Sequence, residues 1–557
     1  MFAPTRFAAR PLVPLSLAAL ALVLSVPAFA EDAAPRFDPE AVRAHVTFLA
    51  DDAMDGREAG TQGYDIAANY VASRFLAIGA LPAGDNGTFF QRVPLREAKL
   101  EGTPVLTLTK GSTALRYDTP EKAIIGASLL EREQRVEAPL VFAGYGIDRA
   151  DLGLADYRGL DVRGKIVVVL TGFPKGMNSE LGAHLSAEKG VMAMNRGAIG
   201  VISIPTRQDT ARRAWEVRVR SARDASVGWV GKDGQVFTRT PNLRTSAAIN
   251  PVHAGVLFEG ARQSLDAILT EADRAGARPR GFALAHRATI ERTSTWADKV
   301  SNNVVATMPG SDPALANEVV VMTAHLDHLG DHSTARDGSA DKVANGAMDN
   351  AAGVATMIEV AQALATSGTR PRRPILFAAV TAEEKGLIGS DYLARNPVTG
   401  EARSVGVVNF DMPILTYKFT DVIAFGAENS SMGPMVASAA AKAGITLSPD
   451  PMPEEGLFTR SDHYRFVQQG VPAVFLMTGF AGEGQAKFRD FLAKNYHQPS
   501  DDLKLPFDWQ AGAKFAEVNY HIVRTIADAP VRPQWYEGNF FGKEFAPTAA
   551  KAVRVKP

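Results

Sequence analysis

Acidic and histidine side chains follow three apolar, strand-like segments of this chain at the point where each segment ends. They are His325 and Asp327 after 319–323 (VVVMT), Glu383 and Glu384 after 375–381 (ILFAAVT), and Asp411 after 405–410 (VGVVNF). Two further candidates, Asp349 and His497, lie in loop-like stretches. In open α/β sheets, ligands bind at the carboxyl ends of the strands. Taken singly, each residue is explained as a solvated or capping side chain, but together they indicate a functional site.

The residue types suit a two-metal hydrolase. Imidazole and carboxylate groups are zinc ligands, and the absence of cysteine points away from a closed structural zinc site. Two metal ions about 3.5–4 Å apart share a bridging carboxylate and act together on the attacking water and the carbonyl oxygen. A second carboxylate, which does not bind metal, is needed as the general base. The adjacent Glu383 and Glu384 can supply one of each, because successive side chains leaving a strand point in different directions.

After residue 302 the chain alternates between strand-like runs and helical patterns. Helices are predicted at 351–366, 387–395 and 432–443, and a further strand at 473–477. Such alternation is typical of a largely parallel sheet with helices on both faces. Residues 38–80 are predicted to be helical, whereas the stretch from about 104 to 290 favours short strands and turns. The predicted fold class is therefore α/β: a mostly parallel mixed sheet with helices on both faces, plus a smaller β-rich domain.

Six motifs in this part of the chain resemble those of the co-catalytic di-zinc peptidase family, which includes aminopeptidase Y, secreted bacterial leucyl aminopeptidases and glutamate carboxypeptidase. The motifs are AHLDHLG (324–330), GAMDN (346–350), AEEKGLIGS (382–390), NFDM (409–412), RSDHYRFVQQGVP (460–472) and YHQPSDD (496–502). Their order and spacing match the family over 300–540, and the stretch 48–75 is also similar to family members. The resemblance implies a zinc-exopeptidase fold and a peptide substrate.

The resemblance also implies a role for each site residue. Two zinc ions would be bound, the first by His325, Asp349 and Asp411 and the second by Asp349, Glu384 and His497. Asp349 is then the bridging ligand and Glu383 the general base. Asp327 matches the family's outer carboxylate, which orients the ligand His325, as outer partners of metal-bound histidines generally do.

Several residues beside these motifs have a less definite role. Arg460, Asp462 and His463 match a segment near the substrate in the family, and either a substrate contact or a loop-stabilising role fits them. His328 and His332 lie close to the first motif, but the family does not use these positions as ligands. Both are interpreted as surface or pocket-rim residues.

Residues between the two parts of the peptidase resemble an inserted protease-associated domain. The matching motifs are GYGI (144–147), DYRGLD (156–161), VRGK (162–165) and NRGA (195–198). The predicted organisation is a signal peptide (1–30), an N-terminal peptidase part (31–120), the insert (121–285), the main peptidase domain (286–545) and a tail (546–557). The insert would either border the active-site cleft or act as a spacer. Residues 206–250 have no assignment, and DMPILTYKF (411–419) departs from the family pattern.

The first thirty residues are typical of a secretory signal peptide. Arg6 and Arg10 precede an apolar run at 15–26, and Ala28-Phe29-Ala30 forms a small-x-small cleavage signal. Cleavage after Ala30 predicts a secreted or periplasmic protein; a membrane anchor is the alternative, but the run is short for a span of about 20 residues. A chain with a formal charge of −1 and no basic blocks offers no surface to nucleic acid or, after cleavage, to a membrane.

The predicted function is that of a secreted di-zinc aminopeptidase, which hydrolyses N-terminal residues from peptides with Glu383 as the general base. A carboxypeptidase of the glutamate carboxypeptidase type is the nearest alternative. A non-catalytic binding protein on the same fold would have lost ligands, whereas all five ligands and the base are present here. A single-zinc glutaminyl cyclase is a further alternative, against which the inserted domain counts. Neither the preferred side chain nor the oligomeric state follows from the sequence.

Overall fold

The structure is a computed structural model that describes residues 35–222, 224–331 and 341–554, together with residues 1 and 3. Residues 35–557 fall in one compact unit. The signal peptide predicted at 1–30 lies almost entirely outside the described residues, and so does His332. Within the described ranges, no helix combines the length and the apolar character that a membrane span requires.

One mixed sheet of sixteen strands runs through the described part of the chain. Its strands are Leu81–Pro82, Phe90–Lys110, Thr113–Tyr117, Ala123–Ile124, Glu133–Phe142, Ile166–Leu170, Gly200–Ile204, Ser226–Trp229, Thr245–Ile249, Phe282–Met308, Glu318–His325, Ile375–Val380, Arg403–Phe410, Asp421–Phe425, Thr446–Ser448 and Ala473–Thr478. Two short hairpins lie apart from it, Asp148–Arg149 with Leu154–Ala155 and Gly330–Asp331 with Val343–Ala344.

The strand Glu318–His325 lies at the centre of the part of the sheet that carries the predicted site. It pairs in parallel with Ile375–Val380 on one side and with Arg403–Phe410 on the other. Arg403–Phe410 pairs in parallel with Ala473–Thr478 in turn. Nearly every residue of these strands is buried, as expected for parallel strands with both faces covered.

Helices cover both faces of this sheet and lie on the insert. The α-helices are Pro39–Leu49, Gln62–Ile78, Ser179–Ala187, Lys189–Asn195, Arg207–Arg212, Trp215–Ser221, Pro251–Ala254, Leu265–Ala272, Ala352–Thr366, Ile388–Arg395, Met432–Lys442, His463–Val467, Gly484–Lys494, Trp509–Asp528 and Phe540–Phe545. The helix Ala352–Thr366 is apolar almost all round and nearly fully buried. The predicted α/β fold class is thus confirmed, and the predicted strands and helices after residue 302 differ from the observed ones by a few residues at their ends.

The chain has two large hydrophobic cores. One joins residues of the N-terminal helices to residues after 303, and the other is formed by residues between Leu106 and Ile290. The long strands Phe90–Lys110 and Phe282–Met308 pair along most of their length and run past both cores. The second of them also crosses the predicted end of the insert (121–285), so those bounds remain a prediction.

Residues 206–250, which had no assignment from the sequence, form short elements on the insert. The helices Arg207–Arg212 and Trp215–Ser221 precede a strand, Ser226–Trp229. That strand pairs antiparallel with residues 95–98 of the long strand Phe90–Lys110. The segment is therefore joined to a strand that lies outside the predicted insert.

Candidate metal centre

The parallel strands bring three of the predicted site segments to one edge of the sheet. His325 is the last residue of the central strand and lies opposite Val380, three residues before Glu383. Asp411 directly follows the neighbouring strand Arg403–Phe410. The carboxyl ends of these neighbouring strands therefore place an imidazole between two acidic segments.

The two candidates from loop-like stretches reach the same place. Asp349 lies in a short irregular helical segment, Ala347–Ala351, directly before the buried helix Ala352–Thr366. His497 follows the helix Gly484–Lys494 and has a positive φ of 57°. All five predicted zinc ligands thus lie in one cluster.

Asp349 faces a histidine with each of its two carboxylate oxygens. Its Oδ1 lies 3.2 Å from His325 Nε2, and its Oδ2 lies 3.4 Å from His497 Nε2. His325 Nε2 is also 3.1 Å from Asp411 Oδ1, and His497 Nε2 is 3.2 Å from Glu384 Oε2. The two trios that share Asp349 are those that the family resemblance implies for two metal ions.

Glu383 lies beside the first trio. Its Oε2 is 4.0 Å from His325 Nε2, and its side chain is only 11% exposed. Burial raises the pKa of Glu383 well above its usual range, and the nearby carboxylates of Glu384 and Asp411 add to this, while His325 opposes it. A nearly buried carboxylate next to a candidate metal position fits the general base that the sequence predicts.

Asp327 makes a different contact from the one predicted. Its carboxylate accepts hydrogen bonds from the backbone N–H groups of Glu383 and Glu384, at 3.0 and 3.3 Å. The ring Nδ1 of His325 instead lies 3.1 Å from the backbone carbonyl oxygen of Asp327. The prediction that the carboxylate orients His325 is therefore wrong, because Glu383 and Glu384 have left the sheet and their N–H groups need acceptors. Asp327 holds the backbone of the Glu-Glu pair.

His328 is buried, contrary to its interpretation as a surface or rim residue. Its ring Nδ1 lies 2.7 Å from Glu384 Oε1. The ring packs against Gly346, where an added Cβ would lie 2.7 Å from the His328 Cγ and Cδ2 atoms. The glycine thus leaves room for the imidazole, a packing relation that the sequence around His328 does not reveal.

Two buried residues that sequence reasoning did not single out hold the loops of the site. The guanidinium of Arg57 donates to the backbone carbonyls of Leu326 at 2.9 Å and Gly346 at 3.0 Å, so it ties two site loops together. Asp501 accepts from the N–H groups of Met348 and Asp349, at 2.8 and 3.0 Å. The one available signal was that both lie in motifs that resemble the family, Arg57 in 48–75 and Asp501 in 496–502.

The residues of the segment 460–463, for which either a substrate contact or a loop-stabilising role was predicted, differ in their exposure. Arg460 is half-exposed and lines a cavity beside the cluster. Asp462 and His463 are fully buried, and burial raises the pKa of Asp462 to about 7. Ser461, between Arg460 and Asp462 in the sequence, donates a hydrogen bond of 2.6 Å to Asp411 Oδ2 and so orients a predicted ligand.

The cavity, of about 290 Å³, opens beside His325, Asp349, Glu383 and Asp411. Apolar and aromatic side chains form much of its wall: Met412, Met452, Leu457, Phe475, Met477, Phe488, Leu492 and Tyr496. Arg212, which lies within the range predicted for the insert, also lines it, and its Nη2 lies 2.9 Å from Glu455 Oε2. The segment 206–250 therefore contributes a side chain to the cavity.

Residues 303–523 match the family model of peptidase family M28. This region of the chain is therefore similar to family M28 peptidases. Leupeptin-inactivating enzyme 1 of Streptomyces exfoliatus is 29% identical over 327 residues, which are 57% of this chain and 65% of that protein. Aminopeptidase Y of Saccharomyces cerevisiae is 26% identical over 239 residues, 41% of this chain and 39% of that protein. The chain thus spans less than two thirds of the length of either relative. The match to the family model confirms the family resemblance.

A solved structure shares the fold of this chain. The aminopeptidase from Aneurinibacillus sp. strain AM-1 has 20% sequence identity and a TM-score of 0.51, with 89% of this chain and 95% of that chain covered. Because it covers 89% of this chain, the likeness extends beyond the residues 303–523 that match the family model and into the first 300 residues.

The cluster has the donor set and the charge that zinc requires. Burial would raise the pKa of Glu384, but His497 and His328 hold it well below its usual range. Burial would lower the pKa of His497, but Glu384 and Asp349 raise it to about 10. Buried carboxylates that outnumber the nearby cations need positive charge, and carboxylate and imidazole groups suit zinc. His325, Asp349 and Asp411 lie close enough together to hold one ion.

Proposed function

We propose that this chain is an exported two-zinc aminopeptidase that removes N-terminal residues from peptides. The observation that carries the proposal is the placement of Asp349, whose two carboxylate oxygens face His325 and His497 separately. A carboxylate in this position can bridge two ions, which is the arrangement of a two-metal hydrolase. The M28 match supports zinc peptidase chemistry, and aminopeptidase Y is among the relatives.

The residues divide the work of peptide hydrolysis. When bound, the zinc ions would polarise the scissile carbonyl and lower the pKa of the attacking water. Glu383 accepts the proton of that water, because its carboxylate lines the cavity without belonging to either ligand trio. Asp327 keeps Glu383 in place, because its carboxylate accepts a hydrogen bond from the backbone N–H of Glu383. Ser461 keeps Asp411 turned towards His325 through its hydrogen bond to Oδ2.

The apolar wall of the cavity is suited to the side chain of the N-terminal residue. Phe475, Met477 and Phe488 are buried there, in the wall of the cavity that the cluster also lines. Desolvating a leucine or phenylalanine side chain in such a pocket contributes roughly 1.5–3 kcal/mol. The enzyme should therefore prefer peptides that begin with a large apolar residue.

An assay on zinc-loaded protein separates this function from its alternatives. We expect hydrolysis of leucyl-nitroanilide and none of its N-acetylated form, since an aminopeptidase needs a free amino terminus. Cleavage of an N-blocked dipeptide with a C-terminal glutamate, without leucyl-nitroanilide hydrolysis, would support the carboxypeptidase alternative. No hydrolysis of either substrate by protein that holds two zinc ions would support a binding protein.

We further infer that the insert restricts access to the site through Arg212. Its ion pair with Glu455 joins the insert to the peptidase at the wall of the cavity. An exposed ion pair stabilises a contact by about 0–1 kcal/mol, so its loss should have a modest effect on access to the cavity. Arg212→Ala should therefore raise the ratio of kcat/KM for tetrapeptides to kcat/KM for leucyl-nitroanilide by about two- to fivefold. The zinc content should not change. Arg207→Ala is the matched control, because Arg207 lies on the same helix and pairs with Asp266 and Asp273 of the insert. An unchanged ratio in Arg212→Ala would favour the spacer role.

Export is proposed from the sequence alone. The basic residues, apolar run and Ala28-Phe29-Ala30 signal predict a mature chain that begins at Glu31. Amino-terminal sequencing of the exported protein checks this, and an intact Met1 in a membrane fraction would contradict it.

A further inference from the structure

We propose that His328 is an additional protein ligand of the second zinc ion, beside Asp349, Glu384 and His497. This inference rests on the proposed function, which supplies the second ion. It adds a residue that the family resemblance does not use as a ligand. Three observations carry it: the burial of His328, the lack of an aligned hydrogen bond at either ring nitrogen, and its position between Glu384 and Gly346.

His328 is fully buried, yet neither ring nitrogen has a hydrogen-bond partner among the described residues. A buried polar group without a partner costs about 1–3 kcal/mol, and such groups are rare in folded proteins. Glu384 Oε1 is equally buried and equally without a hydrogen bond in the same part of the structure. These two buried atoms, a ring nitrogen and a carboxylate oxygen without an aligned hydrogen bond, are explained if one cation binds both.

The contact between these two atoms places an imidazole nitrogen beside a carboxylate oxygen, the two atom types that bind zinc. His328 Nδ1 and Glu384 Oε1 are only 2.7 Å apart, but they are not aligned as a hydrogen bond. Asp349 completes the set, because one ligand atom from each of the three residues lies within 4.8 Å of the others. Glu384 therefore faces an imidazole with each oxygen, His328 with Oε1 and His497 with Oε2.

The surroundings hold the His328 ring in this position. Its backbone N–H donates to the carbonyl oxygen of Arg57 at 3.2 Å, and Gly346 packs against the ring on one side. The rings of His328 and His497 meet edge to face, with centroids 5.8 Å apart. The imidazole is thus confined next to Glu384, as a ligand must be.

A fourth side chain makes the two metal positions unequal. The first ion would keep three protein ligands and hence an open position, which catalytic zinc sites need for water or substrate. The second ion would be held by four side chains and be released more slowly. Zinc removal by a chelator should therefore proceed in two distinct steps in the wild-type chain.

A cysteine at position 328 tests ligation directly, because the chain contains no other cysteine. In cobalt-loaded His328→Cys we expect a thiolate-to-cobalt charge-transfer band, which requires a sulfur–metal bond. The matched control is His45→Cys, since His45 is also buried and lies 3.1 Å from a glutamate, Glu359, outside the metal-binding groups of the described residues. The band should be absent from this control, and its absence from His328→Cys with two cobalt ions bound would overturn the proposal.

Zinc affinity provides a second measurement, which also covers a cysteine variant that fails to fold. His328→Ala and His328→Gln should both weaken the second zinc by more than the 10- to 100-fold that loss of an outer partner costs. If His328→Gln bound both ions with wild-type affinity, His328 would be a hydrogen-bonding partner of Glu384, and the ligand proposal would be wrong. A wild-type chain that binds only one ion would instead contradict the proposed function itself.

Discussion

Glu383→Gln is expected to lower kcat by at least ~10²-fold while both zinc ions stay bound. The amide cannot accept the proton of the attacking water, and a general base contributes typically about 10²–10⁴-fold to rate. Glu383 belongs to neither of the trios that face Asp349, so its charge is not needed to hold zinc in the proposed roles. Steady-state kinetics with leucyl-nitroanilide, together with elemental analysis of the same sample, measures both effects. KM should stay near the wild-type value.

Glu384→Gln is the matched control for this experiment, because it makes the same change at the adjacent residue. It should reduce the zinc content, since Glu384 Oε2 lies 3.2 Å from His497 Nε2 in the second trio. If Glu383→Gln lost zinc and Glu384→Gln kept it, the two roles would be exchanged. Unchanged kcat in both variants would mean that this cluster is not the catalytic site.

Asp349→Ala is expected to lose both zinc ions and essentially all activity. Each of its carboxylate oxygens faces a different histidine, so one substitution removes a ligand from both proposed metal positions. Its backbone N–H bonds to Asp501, and the alanine variant keeps this contact. The loop should therefore fold, and circular dichroism checks that it does.

His497→Ala is the control, because it removes a ligand from one position alone. This variant should keep the first ion and bind the second more weakly. If Asp349→Ala kept one zinc ion with wild-type affinity, Asp349 would not bridge the two positions. Equal loss in both variants would mean that the first ion depends on the second.

The parallel strands and the residues at their carboxyl ends could be predicted from the sequence, because they follow simple physical rules. Buried parallel strands are continuous apolar runs, so VVVMT, ILFAAVT and VGVVNF indicated neighbouring strands of one sheet. Their carboxyl ends must meet at one edge, which placed His325, Glu383 and Asp411 together. Asp349 and His497 follow no such rule, and their roles were assigned through the resemblance to the di-zinc peptidase family.

Side-chain direction beyond the strand ends was not predictable. Asp327 turns its carboxylate to the backbone at Glu383, because two N–H groups there lack sheet partners. His328 turns inward because Gly346, 18 positions along the chain, leaves space for its ring. Arg57 reaches Leu326 across 269 positions. Each contact depends on loops that pack together only in the fold, and a single sequence carries no record of such pairs.

The zinc content per chain distinguishes a two-metal site from a one-metal or metal-free one. The wild-type protein, purified without chelator and equilibrated with excess zinc, is desalted and analysed by elemental mass spectrometry against protein concentration. We expect two zinc ions per chain, together with hydrolysis of leucyl-nitroanilide that a chelator abolishes and added zinc restores. One ion per chain, or none, would contradict the bridging role of Asp349 and with it the two-metal site.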